Sequence, residues 1–187
     1  AHGPFAAVDR PTRFVYRYVL RGLTMPEPYV SEARMEVREV RADGKKLVWF
    51  DMFEGPSYRS FGPMAAEDQN PMVFVFLQRD VTAMANLTGG AAGYFQQQIR
   101  RAFTKPVEVE PVTVIWQGRA IAASRLQLQP FAADPQIDRF PQFREKTYEF
   151  VVAPEIPGGF YRLATRVPNP QGGVVLEEVL TLTAVDG

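Results

Sequence analysis

One histidine and no cysteine stand among the 187 residues of this chain, and that decides most of the chemistry open to it. The histidine is His2, at a terminus, where chains are usually poorly tied down. A Ser-His-Asp or Cys-His nucleophile, or a histidine-rich metal site, would have to run through it. We therefore expect His2 to be a bystander, with no metal and no cofactor bound; a copper site on the terminal amine, an amide and the His2 imidazole rests on a motif too short to carry weight. The missing cysteines also exclude disulfides, thiolate catalysis, thiolate zinc sites and cysteine-ligated iron–sulfur clusters.

Carboxylates are the remaining acid–base groups. Asp51, Glu54, Asp80, Glu149, Glu177 and Glu178 lie near apolar segments, and a pair of acids suffices for glycoside hydrolysis. Nothing in their spacing singles out an acid and a base. Asp80 differs from the rest because it falls on the apolar side of a helical stripe, where a buried ion pair with an arginine is expected. The run Gly89-Gly90-Ala91-Ala92-Gly93 opens a helix, and helix N-termini attract anions. It follows a helix and not a strand, so it matches no nucleotide fingerprint and reads as a connector.

Twenty-one basic residues balance 21 acidic ones, so no long-range field recruits nucleic acid or an anionic membrane. Arg13, Arg17 and Arg21 share one strand face. Arg34, Arg38 and Arg41 interleave with Glu32, Glu36 and Glu39, which reads as a cross-strand charge lattice on a wet face. The aromatics are more telling. Phe14, Tyr16, Tyr18, Trp49, Phe74, Phe76, Phe95, Phe103 and Trp116 exceed what a minimal core needs. If the fold is not wholly filled, Tyr16, Tyr18, Trp49, Phe76, Phe95 and Trp116 are the candidates to line an apolar ligand cleft; otherwise they are core. Phe74 falls off its helix's stripe and marks either a second layer or an exposed contact.

The elements that must position these residues are legible. Asn70-Pro71 is a helix start: Asn caps the first turn, and proline fits the first helical position. Val73, Phe76, Leu77, Asp80, Val81, Met84 and Leu87 follow at spacings of three and four, and Gly89-Gly90 stops the helix. A second helix runs from about Ala91 to Thr104, with Ala92, Phe95, Ile99, Ala102 and Phe103 on one side. So short a connection makes the pair antiparallel or bent. The rest alternates as strands do. Arg13 to Leu20 puts Phe14, Tyr16, Tyr18 and Leu20 on one face. Glu32 to Val40 slips phase near Glu39, as a bulge would, and Asp43-Gly44 turns the chain into Leu47 to Phe53. That strand is apolar on both faces, so it is expected to be central and covered twice. Tyr58 to Phe61 is a short strand, and 62–69 a polar loop. Beyond the helices, Pro111 places 107–117 at an edge or bulge. A mid-strand slip is expected in 119–129, loop with one helical turn near Ile137 to Phe140, and then strands at 146–153, 160–167 and 174–184 with turn residues between them.

The fold class is α+β: a curved, mostly antiparallel sheet of about eight or nine strands, with a central helical hairpin packed on its concave face. Residues 1–187 form a single domain on this reading, with strands at 13–61, the hairpin at 70–105 and strands at 107–184; two small β domains are the alternative. The length suffices to bury a core without staples. No run approaches the roughly 18 apolar residues of a membrane span. The opening Ala-His-Gly-Pro is what a signal peptidase leaves after a small residue, so export to the periplasm or beyond is expected, a cytoplasmic protein being the alternative. Three functions remain open. The first is a non-catalytic binding protein that holds an apolar small molecule or a partner protein between helices and sheet. The second is a carboxylate-dependent carbohydrate-active enzyme. The third is an assembly subunit that pairs through edge strands.

Overall fold

The computed structural model describes residues 3–187. Nine strands form one antiparallel sheet in the order β4-β3-β2-β1-β9-β8-β7-β6-β5. They are β1 (Thr12–Gly22), β2 (Tyr29–Val40), β3 (Lys46–Met52), β4 (Arg59–Ala66), β5 (Val109–Trp116), β6 (Arg119–Leu128), β7 (Thr147–Val152), β8 (Phe160–Pro168) and β9 (Val174–Asp186). The helices α1 (Pro71–Thr88) and α2 (Ala92–Phe103) connect the two edge strands, β4 and β5. Nearly every other connection is a hairpin between neighbours. The long-range closure is β1 on β9, which joins the two halves in the middle of the sheet.

Curvature follows from what α1 touches. Arg79 stands over Phe53, just past β3, at 4.8 Å, while the adjacent Asp80 is bonded to Tyr148 on β7 at 2.5 Å. In a flat sheet five strand spacings would hold β3 and β7 about 24 Å apart. The sheet therefore curls around the helix, and the pair lies on its concave face. The strands' inward rows supply the floor: Phe14, Tyr16 and Tyr18 from β1, Ala33, Met35 and Val37 from β2, and Val48, Phe50 and Met52 from β3 are all buried.

The helix boundaries obey local chemistry. The Asn70 side chain accepts from the Met72 amide at 3.0 Å and donates to the Gly158 carbonyl at 3.1 Å, so one residue caps α1 and ties it to the β7–β8 turn. Gly89 closes the helix in the left-handed conformation, φ 74°. A 3-10 turn at Pro4–Ala7 buries Phe5 against Phe14, with ring centroids 6.2 Å apart, and seals the sheet near this cap. Asp43 and Gly44 form the expected hairpin, and the bulge falls between Val37 and Glu39.

Several expectations need correcting. The strand β4 runs on through Gly62-Pro63 to Ala66 where a polar loop was expected. It is the edge strand, so proline's missing donor leaves no ladder bond unmade. The strand β3 is next to that edge and is buried on one face only; its other face carries half-exposed Leu47, Trp49 and Asp51. The slip expected in β6 is absent, for both of its ladders run unbroken. Its first half pairs only β5 and its second half also β7, so the two halves meet different cover. Leu87 in the last turn of α1 is exposed, beyond the final buried residue, Ala85. Pro111 does lie in an edge strand, β5.

On the outer face Arg13–Glu36, Arg34–Glu32, Arg38–Glu36 and Arg41–Glu39 are paired at 2.6–2.9 Å. Three of the four lie within β2 or just past its end, two residues apart, and only Arg13–Glu36 crosses between strands. All are partly or wholly exposed, so water and salt screen them and each is a weak contribution to stability.

Candidate functional site

The concave face is unevenly filled. On the β6–β9 flank, residues 130–145 fold back under the helices. The Asp134 side chain caps a 3-10 turn, Pro135–Arg139, by accepting from the Gln136 amide at 2.9 Å. The segment delivers Phe131, Ile137, Phe140 and Phe143 to the core. Phe95 of α2 is fully buried among three of them, with centroids 5.3–5.6 Å away.

Charge is buried here too. Asp80 accepts from Lys146 Nζ at 2.7 Å and from the Tyr148 hydroxyl at 2.5 Å, and all three are almost wholly buried. The expected partner of Asp80 was an arginine. Lys146 takes that place because it immediately precedes β7, which faces α1. The arginine next door, Arg79, points to the opposite flank. Burial and the charge on Asp80 both hold the Tyr148 hydroxyl well above its ordinary pKa.

Arg79 leads to the other flank. Its Nη2 donates to the Tyr18 hydroxyl at 2.9 Å, and its guanidinium lies over the rings of Phe53 and Tyr18 at 4.8 and 5.2 Å. Glu178 of β9 lies 3.9 Å away and is buried. Its carboxyl is pushed above the usual range, first by burial and then by Asp80, against the pull of Arg79, Tyr18 and Lys146. Burial is also the main cause that raises the Tyr18 hydroxyl. Phe53 reaches this cluster through an unusual backbone. Simple alternation would send it outward with Trp49, but it takes φ 66°, in the left-handed region, and turns its ring onto Tyr18 at 4.6 Å. Such a conformation costs on the order of 1–3 kcal/mol in a non-glycine residue and clusters at binding sites.

Beyond Arg79 lies an open cleft of about 1270 Å³. One wall is β1–β4 and their turns, with Leu20, Met25, Tyr29, Met52, Phe53, Phe61 and Met64. The other is α1 and α2, with Phe74, Val75, Gln78, Thr82, Gln96, Ile99 and Phe103. Gln96 donates to Gln78 at 3.0 Å and ties the helices together there. Phe61 stacks on buried Phe50, centroids 5.0 Å apart. Phe74 and Phe103 are 58% and 49% exposed, so the cleft presents large aromatic surfaces to water. A smaller space of about 380 Å³ lies on the far side of the same residues, between α1 and β6–β8, and shares Phe74, Leu77 and Phe103 with the first.

The six aromatics expected to line a cleft are placed elsewhere. Tyr16, Tyr18, Phe76 and Phe95 are core residues. Trp116 ends the edge strand β5 and is buried, and Trp49 lies on the outer face of β3 beneath Arg38, at 4.9 Å. None of the six lines the cleft; Tyr18 lies behind it, against Phe53 and Arg79. The lining comes instead from Phe74 and Phe103, from Phe53 and Phe61, and from the methionines. Phe74 had a signal, its place off the stripe. Phe53 had none, because its backbone conformation reverses the face that alternation assigns.

The six candidate carboxylates do not converge on the cleft either. Asp51 accepts from the Tyr58 hydroxyl at 2.8 Å, Glu149 pairs with Arg162 at 3.4 Å, Glu177 lies beside that pair, and Glu54 is exposed. Asp80 and Glu178 are buried behind it. Among the described residues no group of three acidic or histidine side chains is placed to hold a metal ion, and His2 lies outside the described residues. No described helix is long and apolar enough to cross a membrane. Comparison with protein-family models and with curated proteins finds no match.

Proposed function

We propose that this chain is a non-catalytic binding protein that holds an apolar small molecule in the cleft between its helices and the β1–β4 half of its sheet. One observation carries the reading: the cleft is large, mostly apolar and lined by no aspartate or glutamate. Ligand sites commonly run to about 300–1,000 Å³, so the space accommodates a ligand of that class with room at its mouth. Each Å² of apolar surface withdrawn from water is worth about 25 cal/mol, and the wet faces of Phe74, Phe103 and Phe61 supply that surface. A carbohydrate-active enzyme would instead bring two acids to within roughly 5–9.5 Å across the cleft.

Native mass spectrometry of protein purified from its own host, followed by denaturing extraction, tests this. The expected result is a stoichiometric apolar adduct that is released on denaturation. A clean monomer that also fails to take up added apolar molecules contradicts the reading.

A second reading draws on the sheet edge. In β5, Val109 and Ile115 are 55% and 61% exposed, and an unpaired edge can add a strand from another chain. A stoichiometric protein partner in the same spectra, lost on Ile115→Lys, would favour an assembly subunit.

A further inference from the structure

Outside the cleft, Arg13, Arg34, Arg38, Arg41, Arg125 and Arg144 each bond a carboxylate. The cleft is lined by three arginines, Arg59, Arg79 and Arg100, and by no acid. Arg59 donates to the Tyr58 carbonyl at 2.7 Å. For Arg79 the nearest carboxylate, Glu178, is 3.9 Å away, beyond hydrogen-bonding distance, and the buried Nε of Arg79 has no partner. In a chain of zero net charge, this is a local excess of positive charge on an otherwise apolar lining.

Geometry makes Arg79 the receptor. Its guanidinium lies over the rings of Phe53 and Tyr18 and donates to the Tyr18 hydroxyl, so its position is fixed before anything binds. Arg59 pairs in register with Met52, the residue before Phe53, so its backbone lies at the same end of the cleft. Guanidinium forks match carboxylate and phosphate oxygens in paired hydrogen bonds.

We propose, building on the cleft as a ligand site, that its occupant is a single anionic amphiphile, a long-chain fatty carboxylate, with its acidic head on Arg79 and its chain along Phe53, Phe61, Phe74 and Phe103. The source is one molecule taken into the cleft and not a membrane surface. The Arg79 side chain is only 32% exposed, so a head group embedded in a bilayer does not reach it.

The test is a pair of titrations followed by competition with an apolar dye, using oleate and the uncharged oleyl alcohol. A charge-assisted hydrogen bond should make oleate bind about tenfold to a hundredfold tighter than the alcohol. Arg79→Gln should remove most of that preference and leave alcohol binding unchanged. Because Arg79 also braces Tyr18, Arg59→Gln and Arg100→Gln provide a check that does not disturb the core; each should narrow the preference. Equal affinity for the two ligands overturns this inference and leaves the cleft reading standing. Failure of both to bind overturns the cleft reading as well. Binding to vesicles of anionic phospholipid without binding of monomeric oleate overturns it in favour of a membrane-surface role.

Discussion

The two flanks of α1 are made of the same kinds of residue and end in opposite states. On the β6–β9 side, residues 130–145 fold in, and Phe95 is surrounded by Phe131, Phe140 and Phe143. On the β1–β4 side, the connection between β3 and β4 contributes one inward aromatic, Phe53, and a cleft remains. The same contrast holds for charge. Asp80 has two bonded partners inside the filled flank, whereas its neighbour Arg79 lines the cleft, 3.9 Å from the Glu178 carboxylate. Apolar residues left wet next to a well-filled core are the mark of a surface kept for something else.

The sharpest way to break the comparison is to remove charge from the filled flank. Asp80→Ala leaves the Lys146 ammonium buried and alone, and it should cost about 3–5 kcal/mol in denaturant unfolding. The double change Asp80→Ala with Lys146→Met should be more stable than the single one, because the orphaned charge goes too. If instead the single variant is as stable as wild type, the filled flank is not as dry as described.

Matched aromatic truncations come next. Phe95→Ala, in the filled flank, should cost about 3–5 kcal/mol. Phe74→Ala, in the open one, should stay within about 0.5 kcal/mol and weaken ligand binding. Equal costs at the two sites would erase the distinction between the flanks.

A smaller effect concerns pH. The Glu178 carboxyl is raised by burial and by Asp80. Below its ordinary value of 4.5 both the folded and the unfolded chain keep the proton. Above it the unfolded chain releases the proton first, so the fold loses stability as pH rises until the buried carboxyl ionises too. Glu178→Gln should therefore gain stability over wild type as pH rises from 4.5, as read from melting midpoints across a pH series. A gap that shrinks with rising pH would contradict the assignment. The smallest effect is on the outer face, where Arg13→Ala should cost about 1 kcal/mol or less, and less still at high salt.

How far the sequence carries depends on whether a feature is local. The Asn70 cap, the Gly89 stop, the Asp43-Gly44 hairpin and the Glu39 bulge are written in adjacent residues, and the structure has each of them. Alternation finds the buried rows of β1 and β2 for the same reason. The cleft is not local. It exists because residues 130–145 fill one flank and nothing comparable reaches the other, and no spacing along the chain encodes that. So Tyr16, Tyr18, Phe76 and Phe95, prominent aromatics in regular periods, turn out to be core, since regular period is what a core face looks like. Two aromatics that line the cleft break their period: Phe74 lies off its stripe, and Phe53 is turned inward by a left-handed backbone. Asp80 shows an intermediate case. Its burial is legible from its place on the stripe, but its partner Lys146, 66 residues away, is not.

The central claim is that the open flank is a ligand site. Its most direct measurement is a titration of an environment-sensitive apolar dye into wild type and into Thr82→Trp, which places a large ring in the cleft from an exposed position on α1. The account predicts saturable one-to-one binding to wild type, and its loss in the variant at an unchanged melting temperature. Equal binding to both proteins, or no saturable binding to either, would contradict it.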